Sequence, residues 1–226
     1  MSDESATIYA KEPLQTYLDD AASGKPAPGG GSVSACVGAL GAALVSMVCN
    51  LTRGREKFAA VEAQVQDLVV RSETARARLE QLLQDDTVAY NGVIDAYRLP
   101  KRTEEQQAAR HRAIQDGLIV AANVPLEIVR VALEVCRLAK TAAEIGNPAA
   151  VTDAGIGAIL GEAAVQGASL NVEINMASID DVGYVRRVGA ELQEAIEESA
   201  RLRLEATAIT LNKLPKRKDG HGRVDH

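Results

Sequence analysis

The residues best suited to chemistry fall in short segments, and the first is a glycine run, Gly29, Gly30 and Gly31, followed by Ser32. Consecutive glycines leave backbone N–H groups uncovered, and an apolar helix expected to begin at Val33, with Ser32 as its N-cap, adds positive potential. Such a segment suits a carbonyl or carboxylate ligand. It lacks the preceding strand and the Gly-Lys-Ser/Thr ending of a nucleotide-binding P-loop, and a plain glycine turn is the alternative interpretation.

A basic run follows the same apolar segment at its other end. Arg53, Arg55 and Lys57 come directly after Asn50, where the last carbonyl groups of the helix are expected to lack partners. Bases at a helix C-terminus are favourable for that reason alone. The functional interpretation is a binding site for an anionic group such as a glutamate tail, beside Asn50.

A carboxylate and two tyrosines share one stripe of the next predicted helix. Asp86, Tyr90 and Tyr97 recur at spacings of four and seven, and Lys101 follows the proline expected to end the helix. A carboxylate beside tyrosines on a mostly apolar helix indicates the edge of a cleft. An exposed Asp next to amphipathic Tyr at the border of the core fits the pattern equally well.

The last candidates lie around a strong helix stop, Gly146–Asn147–Pro148. Asp153 could cap the following helix, as Asp commonly does, or direct a carboxylate at a cationic ligand. That helix carries a groove of small residues that turns polar at Asn171.

These residues depend on long helices. Residues 33–51 carry no charge and would satisfy a transmembrane test, but their Gly, Ala and Ser content favours the central helix of a soluble bundle. One stripe of this helix is bulky and another, Ala39, Ala43, Ser46 and Asn50, is small. We expect the small stripe to pack against the groove of small residues on the helix that follows Pro148, at Gly157, Gly161 and Ala164.

The fold class expected is all-α. No segment alternates with period two, a Thr103–Gln106 pair matches a capping box, and Pro125 should kink its helix without ending it. A single bundle of about six to seven long helices, with a buried glycine/alanine-rich central helix, should span residues 1–212. Residues 213–226 form a basic tail that we expect to be disordered.

Composition excludes several classes of function. The net charge of −6 argues against a nucleic-acid binder, and three histidines, two of them in the tail, argue against a histidine metal centre or a Ser-His-Asp triad. Cys36, Cys49 and Cys136 are odd in number and widely spaced in apolar surroundings, which is typical of reduced thiols in the cytoplasm. The N-terminus lacks the apolar stretch of a secretory signal.

Taken in order, these segments resemble the cyclodeaminase/cyclohydrolase family of folate enzymes over residues 13–211. The resemblance is carried by the glycine run, Met47-Val48-Cys49-Asn50 with the basic run, Asp86 with Ala89-Tyr90, Leu99-Pro100-Lys101, Gly146-Asn147, Asp153-Ala154-Gly155 and Ala168-Ser169-Leu170-Asn171-Val172. It implies an all-helical, dimeric enzyme that acts on tetrahydrofolate. We expect a cytoplasmic protein whose reaction needs no metal or further cofactor. The segments look most like the methenyltetrahydrofolate cyclohydrolases. The alternatives are a formimidoyltetrahydrofolate cyclodeaminase, which releases ammonia, and a non-catalytic helical oligomerisation module.

The chemistry implied by the resemblance needs a base close to an electrophilic, positively charged carbon. We expect Asp86 to be the base or cation-stabilising carboxylate, with Asp153 as the second candidate. The other expected roles are hydrogen bonding to the pterin or tetrahedral oxygen by Asn147 and Asn171, proton transfer or anion binding by Lys101, binding of the glutamate tail by Arg53, Arg55 and Lys57, and further substrate contacts by the glycine run, Ser32, Asn50 and Tyr90.

Overall fold

Long amphipathic helices account for most of the chain, as the spacing of apolar residues predicts. The computed structural model describes residues 7–215, and within that range it contains six α-helices and no β-strand. The helices are α1 (Leu14–Ala22), α2 (Gly30–Asn50), α3 (Glu62–Arg98), α4 (Glu104–Ile145), α5 (Val151–Met176) and α6 (Val182–Lys213). The all-α bundle is therefore confirmed. Of the predicted tail, residues 216–226 lie outside the described range.

Helix α2 lies inside the bundle, against α3, α4 and α5. Its residues Ala35, Ala42, Val45 and Val48 are fully buried. By length and composition α2 is apolar enough to cross a membrane, yet 56% of its most apolar window is buried by the neighbouring helices. The position expected of a central bundle helix is the one observed.

The face of α2 that meets α5 differs from the predicted one. A β-carbon on Gly41 would lie 3.0 Å from the carbonyl oxygen of Gly157, and one on Gly38 would lie 3.3 Å from the β-carbon of Ala164. The two backbones approach where α2 has glycine, because a missing β-carbon permits a closer approach than alanine does. Of the predicted small stripe, Ser46 instead bonds Ser72 of α3, with 2.7 Å between the two hydroxyl oxygens.

The bulky stripe of α2 points out of the bundle. Leu40 and Met47 are 56% and 46% exposed, and Val33 on the same side is 39% exposed. Three sides of α2 are thus covered and the fourth is an apolar surface.

Helices α3 and α4 form a long hairpin whose turn the sequence predicts correctly. The hydroxyl of Thr103 accepts a hydrogen bond from the backbone N–H of Gln106, and the Gln106 side chain accepts one from the N–H of Arg102. Helix α4 runs on through Pro125. Because proline has no N–H, the carbonyl of Ala121 loses its helical partner, and the side-chain amide of Asn175 on α5 donates to it at 3.1 Å.

Candidate active site

The N-terminus of α2 meets the carboxylate of Asp86, which lies on α3. The backbone N–H of Ser32 donates to Oδ2 of Asp86 at 2.9 Å, across 54 residues of sequence. Helix α2 begins at Gly30, with Gly29 at the N-cap position, so the prediction that Ser32 caps a helix starting at Val33 was wrong. The hydrogen-bond acceptor for the first turn of α2 is therefore Asp86 of α3, and the Ser32 hydroxyl is free to contact a different residue.

The glycine run is required where the carboxylate enters. A β-carbon on Gly31 would lie 2.1 Å from Oδ1 of Asp86, closer than any real contact of that kind. A β-carbon on Gly30 would lie 3.2 Å from the side-chain nitrogen of Asn171, whereas one on Gly29 would meet open space. The glycines therefore leave room for Asp86 and Asn171 at the head of α2.

Burial dominates the electrostatics of Asp86. Removal from water raises the pKa of this carboxyl above its usual range, and the hydrogen bond from the N–H of Ser32 opposes part of that rise. A carboxylate with a raised pKa is a stronger base than an ordinary surface carboxylate. A raised pKa makes Asp86 better suited than an ordinary surface carboxylate to accept a proton in catalysis.

Tyr17 of α1 belongs to the same cluster, and sequence reasoning missed it. Its side chain is 6% exposed, and its hydroxyl oxygen lies 3.0 Å from Oγ of Ser32. Burial raises the pKa of Tyr17 to about 12, so the phenol stays neutral at physiological pH. Its only local signal was an aromatic residue on a short amphipathic helix, a pattern typical of ordinary core packing.

Tyr90 and Asn171 border this cluster from α3 and α5. Tyr90, one turn beyond Asp86, is 41% exposed and lines a cavity of about 420 Å³. Asn171 is half-buried and donates its side-chain amide to the carbonyl of Gly167 at 3.0 Å. The structure thus brings together Asp86, Tyr90, Asn171 and the glycine run, as the sequence predicts.

Two side chains close to Asp86 in sequence have unpaired polar atoms. Within residues 7–215, Oε1 of Gln84 and Oγ1 of Thr87 are the two buried side-chain oxygen or nitrogen atoms without a hydrogen-bond partner. Both flank Asp86 on α3. Because unpaired polar atoms are costly to bury, Gln84 and Thr87, which are three residues apart on α3, are candidates for contact with a polar ligand.

The predicted residue Asn50 and the basic run lie at the end of α2 opposite Asp86. Asn50, Arg53, Arg55 and Lys57 are all exposed there. A helix of 21 residues is about 30 Å long, so within one chain this end lies that far from Asp86.

Asn147 also lies at the far end, where it holds the chain. Its N–H donates to Thr52, its side-chain amide donates to the carbonyl of Leu51, and its side-chain oxygen accepts from the N–H of Ala149. Asp153 is half-buried in the first turn of α5 and makes no capping hydrogen bond there. The structure does not place either residue beside Asp86.

Lys101 is exposed in the turn after α3. The end of α3 at Arg98 lies about 18 Å along the helix axis from Asp86, and Lys101 follows it. Lys101 therefore stands too far from the carboxylate to exchange a proton with it directly.

Comparison with known proteins agrees with this fold and with the order of the motifs. The formiminotransferase-cyclodeaminase family matches residues 13–194. The methenyltetrahydrofolate cyclohydrolase of Methylorubrum extorquens is 42% identical over 195 residues, which cover 86% of this chain and 94% of that protein. The formimidoyltransferase-cyclodeaminase of Sus scrofa is 35% identical over 86% of this chain, which spans only 37% of that longer protein. The crystal structure of formiminotetrahydrofolate cyclodeaminase from Thermotoga maritima superposes with a TM-score of 0.81 at 30% identity, covering 90% of this chain and 98% of that one.

Proposed function

The chain belongs to the formiminotransferase-cyclodeaminase family, and we propose that it is a methenyltetrahydrofolate cyclohydrolase, which hydrolyses the 5,10-methenyl bridge of tetrahydrofolate to give 10-formyltetrahydrofolate. The similarity to the Methylorubrum cyclohydrolase extends over nearly the full length of both chains. The observation that carries the mechanism is the half-buried Asp86 carboxylate, with its raised pKa, at the head of α2.

The chemistry begins at an amidinium carbon between N5 and N10, which is electrophilic and positively charged. We propose that the Asp86 carboxylate takes a proton from water as the water oxygen bonds to this carbon. Its negative charge also faces the cationic bridge, which favours binding of the substrate and keeps the carboxyl ionised. Since Asp86 is held by the Ser32 N–H, it needs little reorganisation when the proton moves.

Collapse of the resulting tetrahedral carbon breaks its bond to N5. The formyl group stays on N10, N5 accepts one proton, and a second proton leaves to solvent, which balances the addition of water to a cation. Asp86, protonated in the first step, can supply the proton to N5. We expect the backbone N–H of Gly30 and the side chain of Asn171 to contact the tetrahedral oxygen or the pterin.

We propose that the remaining predicted residues take no part in the proton transfer. Tyr90 would support the flat rings from α3. Asn147 and Asp153, about 30 Å away along α2, serve the geometry of the chain turn within one protomer. Arg53, Arg55 and Lys57, together with Asn50, would reach a folate at Asp86 only from a second copy of the chain.

We propose a homodimer on the basis of the exposed apolar surface. Exposed apolar side chains occur on both of the neighbouring helices α2 and α5, and each is at least 39% exposed: Val33, Leu40, Met47, Ile156 and Ile159. The two helices are antiparallel neighbours, since Gly41 meets Gly157 while Gly30 meets Asn171. An exposed apolar surface on two adjacent helices suits burial against a second copy around a two-fold axis.

The oligomeric state can be tested with a charged substitution. In a Leu40→Glu variant, light scattering should show the monomer mass where the unchanged protein shows the dimer. A monomeric unchanged protein would contradict the proposed dimer.

The composition supports a cytoplasmic protein without nucleic-acid or membrane partners. Cys36, Cys49 and Cys136 are all free thiols, and burial raises the pKa of each. The negative net charge disfavours phosphate backbones. We expect no metal or additional cofactor besides the tetrahydrofolate substrate.

The deciding experiment follows two products from purified protein. Loss of the methenyl absorbance on adding 5,10-methenyltetrahydrofolate, without ammonia release from 5-formimidoyltetrahydrofolate, is the expected result. Rapid ammonia release would favour the cyclodeaminase alternative, which the family and the Thermotoga structure also support. Absence of both activities would favour the non-catalytic oligomerisation module.

A further inference from the structure

A cavity beside the Asp86 cluster is larger than the mechanism above requires. It measures about 420 Å³, which is within the ~300–1,000 Å³ range of small-ligand sites. It is lined by Pro26, Tyr90, Asn91, Ile94, Asp95 and Arg98. Of these residues only Tyr90 has a role in the chemistry, so the greater part of the cavity is available to a part of the ligand away from the reacting carbon.

The cavity lies one turn beyond Asp86 on α3, because Tyr90, which lines it, follows Asp86 by four residues. Asp86, Tyr90, Ile94 and Arg98 are each four residues apart, and residues at that spacing form a continuous row on a helix surface. At 1.5 Å per residue, the row from Asp86 to Arg98 covers about 18 Å. A ligand that starts at Asp86 and lies along this row meets a tyrosine, then an aliphatic side chain, then a cation.

The charge at the far end of the row is suited to a carboxylate. Arg98 is exposed, with its guanidinium 3.3 Å from the carboxylate of Asp95, which is also exposed. Exposed pairs of this kind are weak, so Arg98 can exchange Asp95 for an arriving carboxylate at little cost. Lys101 and Arg102 follow in the next turn and extend the positive charge.

We propose that this cavity binds the p-aminobenzoyl-glutamate portion of the folate, in the same protomer as the Asp86 that acts on it. The benzoyl ring, attached at N10, lies against Tyr90, Ile94 and Pro26. The first glutamate pairs with Arg98, and further γ-linked glutamates extend toward Lys101 and Arg102. This assignment rests on the proposed function, because it takes the ligand to be a folate.

Two other placements fit the structure less well. The basic run at Arg53, Arg55 and Lys57 is about 30 Å from Asp86 within one chain. The pterin ring could use Asn91 and Asp95, but the Asp95 side chain is 73% exposed, and interactions of so exposed a carboxylate are weakened by water.

Calorimetry with p-aminobenzoyl-triglutamate, which lacks the pterin, tests the proposal without turnover. The unchanged protein should bind this probe, and Arg98→Glu should raise its Kd about tenfold or more, since a charge-assisted pair is replaced by repulsion. Arg186→Glu, an exposed arginine on α6, is the matched control and should leave the Kd unchanged. Circular dichroism of each variant verifies the fold.

Three outcomes would overturn the assignment. These are no binding of the probe to the unchanged protein, an unchanged Kd in Arg98→Glu, and a rise confined to an Arg55→Glu/Lys57→Glu double variant. Hydrolysis of 5,10-methenyltetrahydrofolate is measured in the same preparations. Protein that binds the probe through Arg98 without hydrolysing the substrate would contradict the proposed function and leave the binding assignment standing.

Discussion

Gly31 and Asp86 occupy neighbouring space so closely that a β-carbon on the glycine would lie 2.1 Å from Oδ1 of the carboxylate. The first turn of α2 and the middle of α3 are therefore fitted to each other at this point. Asp86 also accepts the Ser32 N–H, which makes it a cap for α2 supplied by another helix. The carboxylate can occupy this position, with the burial that raises its pKa, only because residue 31 is glycine.

A Gly31→Ala substitution should displace Asp86 by more than 1 Å, since ordinary contact begins at 3.4 Å. A misplacement of about that size commonly costs on the order of 10²-fold in rate, so kcat/KM should fall by about that factor. Gly189→Ala on α6 is the control, because its β-carbon meets open space and the change should only stabilise the helix, by ~0.5–1 kcal/mol. Full activity of Gly31→Ala would mean that the carboxylate position is unimportant.

The raised pKa of Asp86 predicts a pH-dependent gain in stability on removing its charge. Because burial raises the pKa in the folded state, the folded protein holds this proton more tightly, and stability is lost as pH rises through the folded pKa. Asp86→Asn stays neutral throughout. Its melting temperature relative to the unchanged protein should therefore be higher at about pH 8 than at about pH 4. A difference that does not change with pH would contradict the raised pKa.

The contribution of Asn175 to stability should depend on Pro125, because the proline leaves the Ala121 carbonyl without a helical donor. Replacing Asn175 by Leu leaves the Ala121 carbonyl without its donor, at a cost of ~1–3 kcal/mol. In a Pro125→Ala background the backbone N–H of residue 125 can bond that carbonyl, so the same replacement should cost less. Urea denaturation of the four proteins gives the coupling energy, and a coupling of zero would show that the two residues act independently.

Removing the unpaired hydroxyl of Thr87 should affect substrate binding without lowering the stability of the fold. Thr87→Val keeps the shape and removes an unsatisfied buried oxygen, so stability should stay equal or rise, while KM for the folate should increase. Thr210→Val is the contrast, because the Thr210 hydroxyl donates to the Ala206 carbonyl at 2.9 Å and its loss should destabilise by about 1 kcal/mol. An unchanged KM for Thr87→Val would remove Thr87 from the site.

The fold could be predicted because its signals are local. The Thr103 cap, the Gly146 stop and the three-and-four spacing of apolar residues each act within a few residues. Which side of α2 packs against α5 could not be predicted, because the glycine stripe and the alanine stripe are neighbours on the helix surface. Which one meets α5 depends on how closely two backbones can approach, a property of the pair.

The site was predictable only in part for a similar reason. Asp86 and the glycine run were predicted from their residue types, yet the hydrogen bond from the Ser32 N–H to Asp86 joins residues 54 positions apart. Tyr17 had no distinguishing pattern and acquires a role only through Ser32. Asn147 and Asp153 have residue types equally suited to chemistry, and their distance from Asp86 follows from the length of α2.

The most direct test of Asp86 as the base is the kcat of Asp86→Asn for hydrolysis of 5,10-methenyltetrahydrofolate, followed by loss of the methenyl absorbance. Asn keeps the size of the side chain and can still accept the Ser32 N–H, but it has no basicity and no charge. A positioned general base contributes ~10²–10⁴-fold, so kcat should fall by that order in a protein whose circular dichroism is unchanged. A folded Asp86→Asn protein with near-normal kcat would contradict the account and place the base elsewhere.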